Sequence, residues 1–244
     1  MVPQIEIRLM HIKTYYQQLN SRSQEIFQDA LTAPQLLSKA HSIASDISTL
    51  AEVLSDSDER AMLTTVCFQI ESSCLALSLG LYRPAIGGLR LALELGFGCI
   101  YFSSDKLAHR EWMQNGDLKW AVVNGEADGA LSQRFVKAFC PELSEKAPEF
   151  FTRAGLVYRA LSEYVHGNSD TWVASGLALS RNDSLRSFYE EKLDEVAIAI
   201  KFAFCCRYLK VLSVEAKDAI YPATTDLHYV AAIREQLGGP KEIQ

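Results

Sequence analysis

The sequence FFTRAGLVYRALSEYVHGN, residues 150–168, predicts an amphipathic α-helix with one narrow polar face. On a helix with about 3.6 residues per turn, its polar and small residues point within roughly 60° of the Arg159 direction. These residues are Thr152, Gly155, Arg159, Ser162, Glu163 and His166. The apolar side is expected to hold Phe150, Ala154, Val157, Leu161, Tyr164 and Val165. Gly167 is expected to end the helix, since glycine readily adopts the left-handed conformation of a C-cap.

Arg159 and His166 are the two residues of this helix that indicate chemistry. They lie two turns apart, about 10 Å along the helix axis, and point the same way. A fixed cation beside a ring that titrates near neutral pH is suited to a catalytic site. The same pattern is also compatible with a salt-bridged interface, or with a histidine held by the helix dipole at a C-terminus.

A second informative stretch is LYRPAIGGLRLALELGFGCIYF, residues 81–102. It predicts a helix that is apolar almost all round, which is typical of a helix buried in the middle of its domain. Its one polar or small stripe contains Arg90 and Glu94, which are neighbours at i, i+4. We expect them to form either a structural ion pair or part of a site that lines a cleft. Gly87 and Gly98 on the same stripe would let another backbone approach closely.

The whole chain, residues 1–244, predicts one all-α domain with a core of about 60–215 and a small helical insertion of about 103–149. Its 48% hydrophobic content is ample for a core, and its 13 glycines and 7 prolines are few enough to favour long helices. Residues 171–183 read as a loop with some strand character. Helices are predicted at about 5–31, 33–54, 58–79, 82–102, 105–115, 117–127, 129–139, 150–166, 185–220 and 225–237.

The charge balance limits the partners that the chain can have. A net charge of −6 and a pI of about 5.4 argue against a broad nucleic-acid-coating surface, so any contact with RNA needs a local basic patch. The first residues are interrupted by charges and the apolar run near residues 85–102 carries Arg90 and Glu94. We therefore expect a cytoplasmic protein with no signal peptide and no membrane association.

Several other classes of site lack a sequence signal. The six cysteines lie in apolar helical stretches without zinc-site spacing, which predicts buried thiols in a reducing compartment. His11, His41, His109 and His228 fall singly on polar stretches and are expected at the surface. No phosphate-binding glycine loop, nucleophile elbow or metal-ligand cluster is visible in the sequence, so we expect no cofactor and no metal ion.

Two ordered features of the sequence resemble the HEPN superfamily of helical bundles. The first is Arg-x3-Glu (Arg90, Glu94) on a buried helix that opens with Tyr-Arg-Pro-Ala, and the second is Arg-x6-His (Arg159, His166) on a later helix that ends in Tyr-Val-His-Gly. The defining element of that superfamily is Arg-x4-6-His, and the match is best with its DUF5677-like branch. The resemblance covers roughly residues 60–215.

The resemblance implies a metal-independent endoribonuclease of a bacterial defence or toxin–antitoxin system. It implies a homodimer in which two Arg–His stripes form one composite cleft, with RNA as substrate and an antitoxin or defence-system protein as partner. His166 would act as acid and base, and Arg159 would bind the phosphate. Further catalytic residues would be Ser162 and Glu163, and the supporting or substrate-binding residues would be Arg90, Glu94, Tyr164 and Asn168.

One position departs from the pattern of that superfamily. Members that are active nucleases usually carry a polar residue directly after the motif arginine, whereas this chain has Ala160. The departure is compatible with a catalytically weak nuclease site and with an alternative function of a different class. In that alternative the chain is a non-catalytic HEPN-like helical module, and its Arg/His/Glu stripe binds a protein partner or a ligand.

Overall fold

The computed structural model describes residues 11–166, 168–171 and 179–240, and it confirms the predicted all-α fold. No β-strand occurs within these ranges. The α-helices are α1 (Ile12–Thr32), α2 (Gln35–Glu52), α3 (Ser57–Ser78), α4 (Tyr82–Phe102), α5 (Lys106–Met113), α6 (Trp120–Val123), α7 (Gln133–Phe139), α8 (Ala147–Val165), α9 (Asp183–Tyr208), α10 (Val214–Ile220) and α11 (Ala231–Gln236). Short 3-10 helices lie at Pro141–Leu143, Ser169–Thr171 and Pro222–Leu227.

Parts of the sequence interpretation fall outside the described residues. These parts are the start of the first helix at Ile5, the C-cap at Gly167, the strand character of residues 172–176 and the end of the chain after residue 240. Within the described ranges, the prediction of one helix over about 185–220 is wrong. The chain there forms two helices, α9 and α10, because Ser213 begins a new helix by accepting a hydrogen bond from the Ala216 backbone N–H at 3.2 Å.

Helix α4 is the centre of the bundle and packs against α3, α8 and α9. Two glycines allow the closest of these contacts. A Cβ atom added to Gly88 would lie 2.7 Å from a side-chain atom of α3, and one added to Gly96 would lie 2.7 Å from a side-chain atom of α9. The sequence interpretation assigned this role to Gly87 and Gly98. A Cβ at Gly87 would make only an ordinary contact, at 3.7 Å from a side-chain atom of α8. A Cβ at Gly98 would be tighter, at 3.0 Å from a Leu118 side-chain atom and 3.3 Å from Met62 on α3, so neighbouring side chains approach closely there.

A buried charged group also joins three elements of the bundle. Lys201 on α9 is 2% exposed, and its Nζ donates to Asp46 on α2 at 2.7 Å and to Asp226 at 2.9 Å. The ammonium group lies in the middle of an otherwise apolar stretch of α9 and is compensated by both carboxylates. Removal of either acidic partner would leave part of a buried charge uncompensated.

The prediction that the six cysteines are buried is confirmed. Burial raises the pKa of the Cys67 thiol to about 11 and that of Cys74 to about 11, which keeps both thiols protonated at neutral pH. The prediction that His109 lies at the surface is wrong. Its ring is 3% exposed and stacks against Phe102 at 5.1 Å and Trp112 at 5.9 Å between ring centres, because α5 folds back onto the end of α4.

Two helices are long and apolar enough to cross a membrane, by length and composition alone. They are α3 and α4. The most apolar 18-residue stretch of α3 is 50% buried inside the protein, and that of α4 is 61% buried. Core helices pass the same test, so this property is weak evidence for a membrane segment.

Candidate functional site

The polar face of α8 lines an open groove with a volume of about 560 Å³. Five of the six residues predicted on that face line this groove, and they are Thr152, Gly155, Arg159, Ser162 and His166. Phe151, Leu156 and Tyr158 add apolar and aromatic surface from the same helix. The helical insertion contributes the opposite side of the lining through Trp120 at the start of α6 and Asn124 just after its end.

Arg159 and His166 are both exposed in this groove. Neither side chain makes a hydrogen bond or an ion pair with any residue that the structure describes. His166 is the C-cap of α8, and its backbone N–H donates to the Ser162 carbonyl at 2.9 Å. The imidazole therefore follows the last helical turn directly, as the spacing predicted. Both groups are accessible to a bound phosphate.

The end of α8 is held by a second arginine, from the first turn of α4. Arg83 donates to the Thr171 hydroxyl at 3.0 Å and to the His166 carbonyl at 3.5 Å. Thr171 is buried, and its hydroxyl lies 3.2 Å from the Glu163 carbonyl and 2.9 Å from the Asn168 carbonyl. This network fixes the backbone on both sides of the histidine.

The Arg90–Glu94 pair lies behind the groove and does not line it. Arg90 donates to Glu94 at 3.1 Å, and both side chains are about 15% exposed. Arg90 also donates to the Tyr158 hydroxyl at 2.8 Å, and its guanidinium carbon lies 4.9 Å from the centre of that ring. The structural ion pair that the spacing predicted is therefore present. Its link to the groove runs through Tyr158, which precedes Arg159 in the chain.

The remaining predicted site residues have different positions. Ser162 lines the groove, but its hydroxyl donates to the Tyr158 carbonyl at 2.7 Å. Glu163 is exposed and does not line the groove. Tyr164 is half-buried against Phe188, with ring centres 5.1 Å apart, and burial raises the pKa of its hydroxyl. Asn168 belongs to the turn after α8, where its backbone N–H donates to the His166 carbonyl at 2.8 Å.

One residue of the predicted apolar side is not in the core. Val165 is 46% exposed, although one of its methyl groups lies beside Gly87 of α4. On the groove side, Leu156 is 58% exposed.

The sequence interpretation missed the residues that the insertion brings to the groove. Trp120 stacks on Tyr158 with ring centres 4.5 Å apart and planes within 5°. Asn124 is 7% exposed, and its Oδ1 is buried with no hydrogen-bond partner among the described residues. The insertion had weak helical periodicity, so no pattern indicated which of its side chains would face α8. The one available signal was Trp120 itself, a large aromatic residue at the start of the short apolar run Trp120–Val123.

Within residues 11–166, 168–171 and 179–240, no group of three or more His, Cys, Asp or Glu side chains could hold a metal ion. The groove itself offers one imidazole, one guanidinium, hydroxyls and an amide. Such groups can bind a phosphate, transfer a proton and form hydrogen bonds to a base. Comparison of the chain with protein-family models, with curated proteins and with solved structures finds no match.

Proposed function

We propose that the groove on α8 binds RNA and cleaves it without a metal ion. The observation that carries this proposal is that Arg159 and His166 line one open groove, are exposed there and are unpaired with any described side chain. Arg90 differs in all three respects, since it is largely buried, is paired with Glu94 and lies outside the lining. The Arg159–His166 pair is therefore free to meet a ligand.

The chemistry of the proposed reaction needs two proton transfers and one fixed cation. His166 takes the proton of a ribose 2′-hydroxyl, and the resulting oxygen attacks the adjacent phosphorus. The bond from phosphorus to the 5′-oxygen breaks, and that oxygen must receive a proton as it leaves. Arg159 compensates the negative charge that grows on the phosphate oxygens. The products are a 2′,3′-cyclic phosphate and a 5′-hydroxyl.

A homodimer would complete this site. In the proposed dimer, grooves of two copies face each other, so that one His166 accepts the 2′ proton and the other protonates the leaving oxygen. The exposed side chain of Leu156, which lines the groove beside the polar stripe, supports an interface on this side of α8. By analogy with the HEPN proteins that the two motifs resemble, such an enzyme would act in a cytoplasmic defence or toxin–antitoxin setting, with a protein partner that restrains it.

A second candidate function is a non-catalytic module that binds a protein partner or a ligand through the same groove. Two observations favour it. Ala160 follows Arg159, where active HEPN nucleases usually carry a polar residue, and the net charge of −6 opposes broad RNA binding. In this case the exposed Leu156 would be part of the partner-binding surface.

The test is incubation of the purified protein with total RNA in the presence of EDTA, in parallel with the His166→Ala variant. The matched control is His41→Ala, because the His41 side chain is 78% exposed, pairs with Glu71 at 2.9 Å and does not line the groove. We expect cleavage with cyclic phosphate ends by the wild type and by His41→Ala, and intact RNA with His166→Ala. Intact RNA with all three folded proteins would reject the nuclease and support the binding module.

A further inference from the structure

We infer that Arg83 is a positioning residue of the proposed reaction, which holds His166 in the groove without meeting the RNA itself. This inference rests on the proposed function, because it assigns Arg83 a role in the rate of the same RNA cleavage. Arg83 lies in the first turn of α4 and is not among the residues that line the groove. Its effect on the reaction must therefore pass through the turn that follows α8.

The end of α8 needs support from outside the helix. The last carbonyl groups of an α-helix have no partners within the helix, and this end carries a partial negative charge. Residues 162–165, which form the last turn of α8, include no basic residue. Arg83 supplies a cation from α4 instead, and its Nη2 lies 3.5 Å from the His166 carbonyl oxygen.

The Thr171 hydroxyl connects Arg83 to the backbone around His166. Arg83 Nη2 donates to the hydroxyl oxygen at 3.0 Å. The hydroxyl proton can be donated to the Glu163 carbonyl at 3.2 Å or to the Asn168 carbonyl at 2.9 Å. Thr171 is 5% exposed, so water competes little for these hydrogen bonds. Because Glu163 and Asn168 stand on either side of His166 in the chain, this network restrains the histidine from both directions.

Arg159 does not depend on this network. It precedes the end of α8 by almost two turns, where regular helical hydrogen bonds hold the backbone, and its side chain is exposed. Loss of Arg83 should therefore displace His166 and leave the proposed phosphate contact of Arg159 in place. In kinetic terms kcat should fall while KM is kept, because the RNA still binds but the base is misplaced.

The contacts of Arg83 also indicate which substitution should restore its function. Both contacts to the turn use one nitrogen, Nη2, and Nε is buried with no hydrogen-bond partner among the described residues. One cationic donor at this place is therefore enough. Lysine, which carries a single ammonium group on a flexible chain, can supply it, whereas a site that needs the guanidinium fork would reject lysine.

The first experiment measures steady-state RNA cleavage at fixed salt. We expect Arg83→Met to lower kcat about tenfold or more and to change KM by less than about twofold, and Arg83→Lys to recover most of the rate. Arg60→Met is the matched control. Arg60 lies in the first turn of α3, donates to the Leu54 carbonyl just after α2 at 2.6 Å and does not line the groove. Its loss removes the same kind of contact at another helix end and should leave kcat unchanged.

The second experiment is independent of catalysis. Amide hydrogen exchange, followed by NMR, reports on the backbone N–H groups of His166 and Thr171, which donate to carbonyl oxygens at 2.9 and 3.1 Å. We expect both to exchange about fivefold faster or more in Arg83→Met and in Thr171→Val, and at the wild-type rate in Arg60→Met. The combined Arg83→Met/Thr171→Val variant should add little to either single variant, because both break the same link.

Three results would overturn the inference. They are unchanged exchange at His166 in Arg83→Met, a KM that rises while kcat is kept, and an equal loss of kcat in Arg60→Met. The second result would make Arg83 a direct RNA contact, and the third would trace the loss to a less stable fold. Faster exchange in Arg83→Met together with a wild type that does not cleave RNA would reject the nuclease and keep the positioning role. Cleavage by the wild type with unchanged exchange would do the reverse.

Discussion

The two arginine-containing motifs of this chain have opposite environments although their sequence patterns are similar. On α4, Arg90 is held by Glu94 at 3.1 Å and by the Tyr158 hydroxyl at 2.8 Å, inside the bundle. On α8, Arg159 is exposed and has no partner among the described residues. The comparison shows that an arginine with a polar neighbour on the same helix face indicates a ligand-binding site only when the fold leaves its side chain exposed and without an ion-pair partner. Arg90 stabilises the bundle, and Arg159 is available to a ligand.

The largest expected effect concerns Arg159. In the proposed nuclease, Arg159→Ala should reduce the rate of RNA cleavage about a hundredfold or more, because it removes the cation that compensates transition-state charge. Its free energy of unfolding should change by less than about 0.5 kcal/mol, since the side chain is exposed and has no partner among the described residues. Cleavage assays and urea unfolding of the same preparation measure both quantities. A large loss of stability would show that Arg159 has a structural partner after all.

The opposite result is expected for Arg90. Arg90→Met should lower the free energy of unfolding by about 3 kcal/mol, because it leaves the carboxylate of Glu94 without its partner in a site that is about 15% exposed. The double variant Arg90→Met/Glu94→Leu should recover much of this loss, as both charges are then gone. Urea unfolding of the two single variants and the double variant gives the coupling energy. Additive losses would mean that the pair contributes nothing as a pair.

The smallest effect concerns an ion pair that is neither buried nor part of the groove. Asp56 is the N-cap of α3, and the hydrogen bond from Lys106, followed by that from the Glu59 backbone N–H, lowers the pKa of its carboxyl below the ordinary value of 3.8. Because the pKa of this carboxyl is lower in the folded than in the unfolded state, its charged form stabilises the fold at pH values above the unfolded-state pKa. This stabilisation is lost as the pH falls through the folded-state pKa.

We therefore expect Asp56→Asn to be less stable than the wild type by about 0.5 kcal/mol at neutral pH, since asparagine keeps the cap but loses the charge. The difference should narrow as the pH falls from about 5 to below the folded pKa of Asp56, where the wild-type carboxyl is also uncharged. Urea midpoints of the two proteins across this range measure it. A difference that does not depend on pH would attribute the effect to cap geometry instead of charge.

Helix positions were predictable where hydrophobic periodicity was strong. Helices α3, α4 and α8 match the predicted segments to within a few residues, because a buried stripe repeated over several turns leaves few alternatives. The insertion was the weakest part of the interpretation, since α6 has only 4 residues and no stripe of its own. The end of α9 was missed because apolar residues continue past Tyr208.

The candidate site was predictable on one side only. The spacing of Arg159 and His166 on one helix face follows from helix geometry, and the Arg90–Glu94 pair follows from i, i+4 spacing. Trp120 and Asn124 could not be assigned to the groove, because they lie 27 and 23 residues before Ala147, the first residue of that helix, and reach it through a long-range contact. Sequence patterns describe neighbours along a helix and carry no information about which turn of an insertion packs on it.

The amino-acid sequence by itself determined the all-α class, the buried central helix and the polar face that carries Arg159 and His166, because each depends on the local repeat of a helix. Only the tertiary structure decided that Arg90 bonds to Tyr158, that Arg159 is exposed in the groove and that the insertion completes this groove with Trp120 and Asn124. These properties depend on burial and on partners distant in sequence. Burial and distant partners depend on how the helices pack together, and the hydrophobic period of a single helix does not specify that packing.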